Sequence, residues 1–495
     1  MSKHAMFTQL RPVGLAVALA MLGGCAVGPD FHRPAAPEAN AYTAKPLPAQ
    51  VGDAATGSAQ QLAVDSDIPA QWWELFHSPA LNDLVKRALE RNPSIAAAQA
   101  ALRQARETTA AQRGAYYPSV TGSFNPTRQR IATTLASPAS SGYDYYSLHT
   151  AELSVSFVPD VFGANRRQVE SLAAQEEYQR FQLEATRITL ASNVVMAAIQ
   201  EASLRDQVDA TRKLVDAQQK VLDSYRQQLV LGQAAHTDVM AQETQLAQFQ
   251  ATLPPLEKQL AQQRDLLTAL VGDLPANEPA AQFHMRDIQL PQNLPVSLPI
   301  KLVDQRPDVR SAEAQLHAAS AQVGVAIANR LPNVQINGSY GSAATELKDL
   351  FKSLTEFWSI SGTITQPIFD AGTLKHKQGA AQAAYDQAAA QYRSTVIAAC
   401  QNVADTLHAI ESDADALRAN QYAETTAKRG LDIALAQQQL GNVPSITVTT
   451  AEQAWLQSRL ALINAQANRL SDSAMLIQAL GGGWWNTADK TASAQ

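Results

Sequence analysis

Residues able to do covalent or acid–base chemistry are few in this chain and poorly grouped. Glu313 and His317 stand four apart in an Ala/Gln-rich stretch, a spacing that puts both on one helix face, but no third ligand or nucleophile lies near them. They read as a surface pair one turn apart. The chain's nine histidines are scattered, so no catalytic constellation and no metal-ligand spacing emerges, and no enzyme activity, metal or cofactor is expected. Cys400, in an alanine-rich run, reads as a small buried apolar residue.

Cys25 is different. Lys3 and Arg11, the apolar run Val13 to Met21, and then Leu22-Gly23-Gly24-Cys25 make residues 1–24 an export signal that ends at a thiol. Leu-Gly-Gly-Cys in that place looks like a bacterial lipobox, which implies a diacylglyceryl thioether on Cys25 and cleavage before it. Removing residues 1–24 takes away two cations and no anions, so the net charge moves from −6 to −6 − 2 = −8. An acidic balance argues against nucleic acid as partner. Ala26 stands where lipoproteins retained in the inner membrane carry aspartate, so the outer membrane is the expected address.

The elements that position these residues are set by an internal repeat. Arg91 to Ser119 returns as Arg306 to Ser339, and in both copies two prolines bracket an Ala/Gln/Arg run, with 118 − 93 and 332 − 307 both giving 25. Each copy is followed by an alternating polar/apolar segment, a Pro/Phe stop, a very long Ala/Gln helix, a Leu-Gly break and a returning helix. The long helices are expected over Ala164 to Leu231 and Leu374 to Leu440, and the returning ones near Thr237 to Leu270 and Thr447 to Leu480. At 1.5 Å per residue each long helix spans roughly 100 Å, so it needs partners of similar length and coiled-coil-like packing. Pro254-Pro255 is expected to kink or break the first returning helix. Val27 to Ile68, rich in Pro, Ala and Gly, reads as an extended, lightly ordered arm, closed by the aromatic anchor Trp72-Trp73-Glu74-Leu75-Phe76.

Four segments alternate with the period of a strand. Leu153, Val155 and Phe157 oppose Glu152, Ser154 and Ser156; Val334, Ile336 and Tyr340 oppose Gln335, Asn337 and Ser339; Trp358, Ile360 and Ile364 oppose Ser359, Ser361 and Thr363; Tyr117 to Arg130 supplies the fourth. About ten residues suffice for a tilted strand to cross a bilayer. Four strands cannot close a barrel and an open edge cannot face lipid, so several chains must share one, and three leave room for a channel where two would fill it with side chains. The expected class is mainly α with transmembrane β: a two-fold repeat, a trimeric twelve-stranded outer-membrane barrel, and a periplasmic α-helical barrel.

With the lipobox, Asp67-Ile68-Pro69, Trp72 to Phe76, Pro159-Asp160-Val161-Phe162-Gly163, Gln366-Pro367-Ile368-Phe369 and Thr237-Asp238-Val239 in this order, the chain resembles the outer-membrane factor family, in its efflux lipoprotein branch. The resemblance implies a homotrimer in outer-membrane lipid, docked to a periplasmic adaptor of an inner-membrane pump of the RND type and passing small molecules such as drugs, toxic compounds or metals. A duct for type I protein secretion and a periplasmic coiled-coil adaptor are the alternatives. The layout is a signal over 1–24, a lipidated arm over 25–77, repeats over 78–275 and 301–483 around an equatorial linker over 276–300, and a tail over 484–495. Adaptor docking falls to the hairpin tips, Leu231, Gly232 and Gln233 with Leu440, Gly441 and Asn442, whose glycines suit a left-handed helix cap. Where relatives gate the periplasmic end with aspartates, tyrosine and arginine, the matching positions here are Thr447, Thr450, Gln438 and Val443, while Asp238 keeps the family identity. The gate is therefore expected to hold by hydrogen bonds and apolar contact, with weaker cation preference.

Mass spectrometry of the mature N-terminal peptide should find Cys25 acylated; an unmodified Cys25 thiol would rule out the anchor.

Overall fold

The computed structural model describes residues 27–39, 41–46, 48–52, 59–130 and 145–486; Cys25 lies outside them. The first half holds β1 (Gln50–Val51), β2 (Gln60–Val64), α1 (Pro79–Arg91), α2 (Pro93–Arg113), β3 (Ser119–Arg130), β4 (Tyr145–Phe157), α3 (Ala164–Val230) and α4 (His236–Val271). The second half holds β5 (Asn293–Val296), α5 (Pro299–Gln305), α6 (Pro307–Ala328), β6 (Asn333–Ala344), β7 (Glu356–Thr365), α7 (Thr373–Gln439) and α8 (Ser445–Ala479). The repeat is visible in lengths alone, since α3 and α7 both have 67 residues, and α4 and α8 have 36 and 35.

Local chemistry explains the boundaries. Pro79 and Pro93 open α1 and α2, where a missing N–H costs nothing. Both 67-residue helices start on an aspartate: Asp160 accepts the Asn165 and Arg166 N–H groups at 2.9 and 2.7 Å, and Asp370 accepts that of Leu374 at 2.8 Å. These carboxylates satisfy first-turn donors that have no partner inside the helix, and their charge complements the helix dipole.

By contact density the chain forms two units. One comprises residues up to Arg33, Leu102–Gln179 and Ala312–Tyr392 and holds the four-stranded antiparallel sheet, in order β3-β4-β6-β7, so each repeat gives one hairpin and β4 pairs with β6 across the repeat. β4 begins at Tyr145, six residues before the alternation is readable. Here too the start of the arm is fixed. The Arg167 guanidinium, buried, donates to the Val27 and Gly28 carbonyls and pairs with Asp30 and Glu170, both at 2.7 Å. Phe31 stacks on His317, with centroids 4.3 Å apart, and Arg33 pairs with Glu313 at 3.1 Å. A Cβ on Gly28 would sit 2.5 Å from Gly324 Cα, so the crossing of arm and α6 needs glycine.

The other unit, 34–101, 180–311 and the chain from Arg393 on, holds a three-stranded sheet of order β1-β2-β5 and the helical hairpins. Leu222, Val239 and Leu246 pack between α3 and α4, while Leu431, Ala434 and Val448 pack between α7 and α8. Amide pairs interrupt the apolar seams: Gln218 with Gln242, buried, at 2.6 Å, and the partly buried pairs of Gln207 with Asn464 at 3.0 Å and Gln453 with Gln245 at 3.2 Å. A helix sliding by one residue would leave these groups unsatisfied, so they fix register. In the same unit Trp72 and Phe76 are buried together, and Trp485 donates to Asp67.

Four sequence expectations need correction. The arm is not lightly ordered throughout, because β1 and β2 pair with each other and β2 runs parallel to β5, a residue-alternation too short to read amid Pro and Ala. α4 continues through Pro254 and Pro255 without a break; both are exposed, so water can serve the carbonyls that lose their donors. Glu313 and His317 do not stand as an isolated surface pair: Glu313 takes Arg33, and His317 takes Glu170 at 2.9 Å. Cys400 is half-buried rather than buried, with burial pushing its thiol pKa up.

Arg167→Met should release the arm, since it leaves the Glu170 carboxylate without its buried cation. Proteinase K digestion of the purified protein should cut between residues 26 and 40 several-fold faster in the variant; equal rates would show that the clamp contributes nothing.

Candidate functional site

The sheet has two chemically opposite faces because its register aligns like with like. Val120, Val155, Gly338 and Ile360 form one row across all four strands, and Gly122, Leu153, Tyr340 and Trp358 form another. Alternating with them run Ser119, Ser156, Asn337 and Ser361, then Thr121, Ser154, Ser339 and Ser359. Side chains on a strand alternate between faces, so the first two rows make an apolar face and the others a polar one. On the apolar face Leu153, Tyr340, Trp358, Ile360 and Ile364 are all exposed. The polar face is laced by its own hydrogen bonds, Ser156 to Asn337 at 3.1 Å and Ser339 with Ser359 at 2.8 Å. Strands of 12, 13, 12 and 10 residues are long enough to cross a bilayer. Among the described residues no helix is long and apolar enough to do so.

The second site is the pair of helix tips, which close with the same hydrogen-bond pattern. Gly232 and Gly441 have φ of +70° and +77°. Gly232 N–H donates to Leu229 O and Gln233 N–H to Gln228 O, at 3.0 and 2.8 Å; Gly441 donates to Gln438 O and Asn442 to Gln437 O, both at 2.9 Å. This is a Schellman closure, whose left-handed residue is cheap only for glycine. A Cβ at either glycine would meet nothing, so backbone conformation alone demands the residue type. Beside them Leu231 and Leu440 are 70% and 74% exposed, and Gln233 and Asn442 are exposed as well.

Of the gate positions, Asp238, Gln438 and Val443 line one cleft of about 560 Å³ with Gln233, Tyr225 and Ser445. Asp238 accepts the Ala235 N–H at 3.1 Å and so caps α4. Gln438 donates to the Tyr225 hydroxyl at 3.2 Å. Thr447 and Thr450 lie outside that cleft on the exposed side of α8, with the Thr450 hydroxyl turned back to the Ile446 carbonyl at 2.8 Å. Tyr225 is the residue that sequence reasoning missed, although its place one turn and a half before the Leu231-Gly232 break was a usable signal.

Buried charge lies deeper in the helices. Glu201 takes Arg205 and Arg264 and accepts the Phe283 N–H at 3.0 Å. Asp206, Asp209 and His284 converge, although 75 residues or more separate the two aspartates from the histidine in the chain. Asp472 is pushed up by burial, and further by the neighbouring Asp413. Glu452, only 4% exposed, is pushed up to about 7 by burial alone.

An exposed apolar sheet face, a polar opposite face and long helical hairpins define an outer-membrane channel with a mainly helical periplasmic part. Residues 84–273 and 298–482 match the family described as outer membrane efflux protein, and the chain belongs to that family. It is 29% identical over 476 residues to the solvent efflux pump outer membrane protein SrpC of Pseudomonas putida, covering 94% of this chain and 97% of that one. It is 28% identical over 449 residues to the pyoverdine export outer membrane protein OpmQ of Pseudomonas aeruginosa, covering 89% and 93%. Among solved structures, the outer-membrane channel OprN superposes with a TM-score of 0.81 at 25% identity, covering 93% of this chain and all of that one. The protein is an outer-membrane efflux channel, a transporter component and not an enzyme.

Because the folded Glu452 holds its proton up to about pH 7 and the unfolded chain releases it near 4.5, the unfolded state binds fewer protons between those values. Stability contributed by this group therefore falls as pH rises from about 4.5 to about 7 and is level above. Glu452→Gln should raise the thermal midpoint at pH 8 relative to the parent and flatten the decline; an unchanged midpoint at pH 8 would contradict the assignment.

Proposed function

We propose that three copies of this chain close one twelve-stranded barrel, three times the four strands of each sheet, and form a passive exit duct for small molecules. The observation that carries this reading is that, among the described residues, β3 and β7 are unpaired edges on a sheet with one exposed apolar face. Backbone groups at an edge cannot be left unsatisfied in lipid. The polar rows then face water inside the barrel, and the apolar rows face lipid. Cargo of small-molecule size is favoured over secreted protein by the relatives, whose names specify solvents and pyoverdine.

In this reading a periplasmic adaptor docks at the tips, where Leu231 and Leu440 offer apolar contact beside Gln233 and Asn442, and an inner-membrane pump of the RND type supplies the cargo. Cys25 adds a lipid anchor next to the arm. Residues 78–275 and 301–483 act as the two repeats around the linker 276–300. The gate holds by hydrogen bonds and apolar contact: Thr447 and Thr450 supply hydroxyls, Gln438 with Tyr225 ties hairpin to hairpin, Val443 adds apolar contact, and Asp238 braces its own hairpin by capping α4. A ring of threonines focuses no negative potential, in contrast to a ring of carboxylates.

In planar bilayers under a salt gradient, Thr450→Asp should shift the reversal potential toward cation selectivity, because it places one carboxylate per chain at the constriction. Unchanged reversal potential and conductance would show that Thr450 does not line the pore.

A further inference from the structure

Asp206 and Asp209, one turn apart on α3, meet the imidazole of His284, which comes from the segment between α4 and β5. His284 Nδ1 lies 2.7 Å from an Asp206 carboxylate oxygen and 4.0 Å from one of Asp209. One donor atom from each of the three residues lies within 4.8 Å of the others. We propose that these residues bind one divalent transition-metal ion of the Zn²⁺ class per chain, with a fourth position open to water.

The distances suit that assignment. Ligand atoms about 2.0–2.1 Å from a tetrahedral Zn²⁺ are separated by about 3.3 Å from each other, and 2.7 and 4.0 Å bracket this value, so side-chain shifts of under about 1 Å bring both His284 contacts to it. One imidazole with two carboxylates selects a borderline ion such as Zn²⁺, Co²⁺ or Ni²⁺ over Ca²⁺ or Mg²⁺, which take oxygen ligands. The histidine is presented by its own segment: its backbone N–H donates to Asp287 at 3.1 Å, and the Met285 N–H donates to the second Asp206 oxygen at 3.3 Å. Such outer contacts orient ligands at metal sites.

Nearby cations are largely engaged elsewhere. Arg205 is paired with Glu201, and Arg286 has Asp287 at 3.7 Å. Arg459 and Arg469 line the neighbouring cavity together with Asp206, and their charge opposes a cation there and weakens its binding. The competing assignment is a simple ion pair between protonated His284 and Asp206. It holds Asp206 at 2.7 Å, leaves Asp209 at 4.0 Å as a weaker contact and binds no metal, so saturable metal binding that depends on Asp209 separates the two. Bound metal would fasten the Phe283–Asp287 turn to α3, next to the point where Glu201 already accepts the Phe283 N–H.

The test uses untagged, full-length protein in detergent, stripped with chelator and titrated with Co²⁺ and then Zn²⁺. The proposal expects one Co²⁺ per chain with visible d–d absorption that Zn²⁺ displaces. Asp209→Asn, which leaves the His284 to Asp206 contact in place, should weaken Zn²⁺ binding about tenfold or more, and His284→Gln should abolish the absorption. Both variants should keep their helical circular dichroism, since Asp209 and His284 are each partly exposed and neither belongs to an apolar cluster. Absence of saturable binding in the parent, or affinity that Asp209→Asn leaves unchanged, overturns the site and leaves the ion pair.

Discussion

The unpaired edges of the β3-β4-β6-β7 sheet are the constraint on which the rest depends. Strand pairing is complete inside the sheet, from Ser119 opposite Ser156 to Asn333 opposite Thr365, but stops at both outer strands. In water an edge can be solvated; in hydrocarbon each orphaned N–H or C=O costs several kcal/mol, roughly. In our proposal a four-stranded sheet that shows lipid an apolar face finds its missing edges in other copies of the chain. The two-fold repeat makes that solution simple, because each half supplies one hairpin of the same kind.

The helices answer a different constraint with the same economy of means. Helices of 67 residues have too little intrinsic stability and too little bulky apolar surface to stand alone, and their Ala/Gln composition suits close packing more than a large core. Short apolar clusters such as Leu222, Val239 and Leu246 hold each hairpin, and buried amide pairs such as Gln218 with Gln242 prevent sliding. The tips then need one residue each at positive φ, and both use glycine in open space. Exposed Leu231 and Leu440 follow directly from where the turn ends, which is why two apolar side chains stand in solvent at equivalent places.

Much of this was legible in the sequence, because period and repetition are local signals. The 25-residue proline spacing announced the two-fold repeat, and alternation such as Leu153-Ser154-Val155 announced strands and their faces. The glycines after each long run announced the tips. What was not legible depends on contacts between distant segments. β1 and β2 are short strands inside a Pro/Ala-rich arm, recognisable only once β5 is beside them. Pro254-Pro255 was read by the rule for helix interiors, yet an exposed site lets solvent replace the missing bonds. His317 was read against its neighbour Glu313, but its partners, Glu170 and Phe31, come from elsewhere in the chain. The convergence of Asp206, Asp209 and His284, and the burial of Glu452, have no short-range signature at all.

In the proposed assembly the sheet of one chain is incomplete and three chains complete it. Light scattering of the detergent-solubilised protein, corrected for bound detergent and recorded together with circular dichroism, tests this directly. The account predicts about three chains per particle, with β signal lost when the particle dissociates, as a closed shared barrel requires. A stable particle of one chain that keeps its β signal would contradict it.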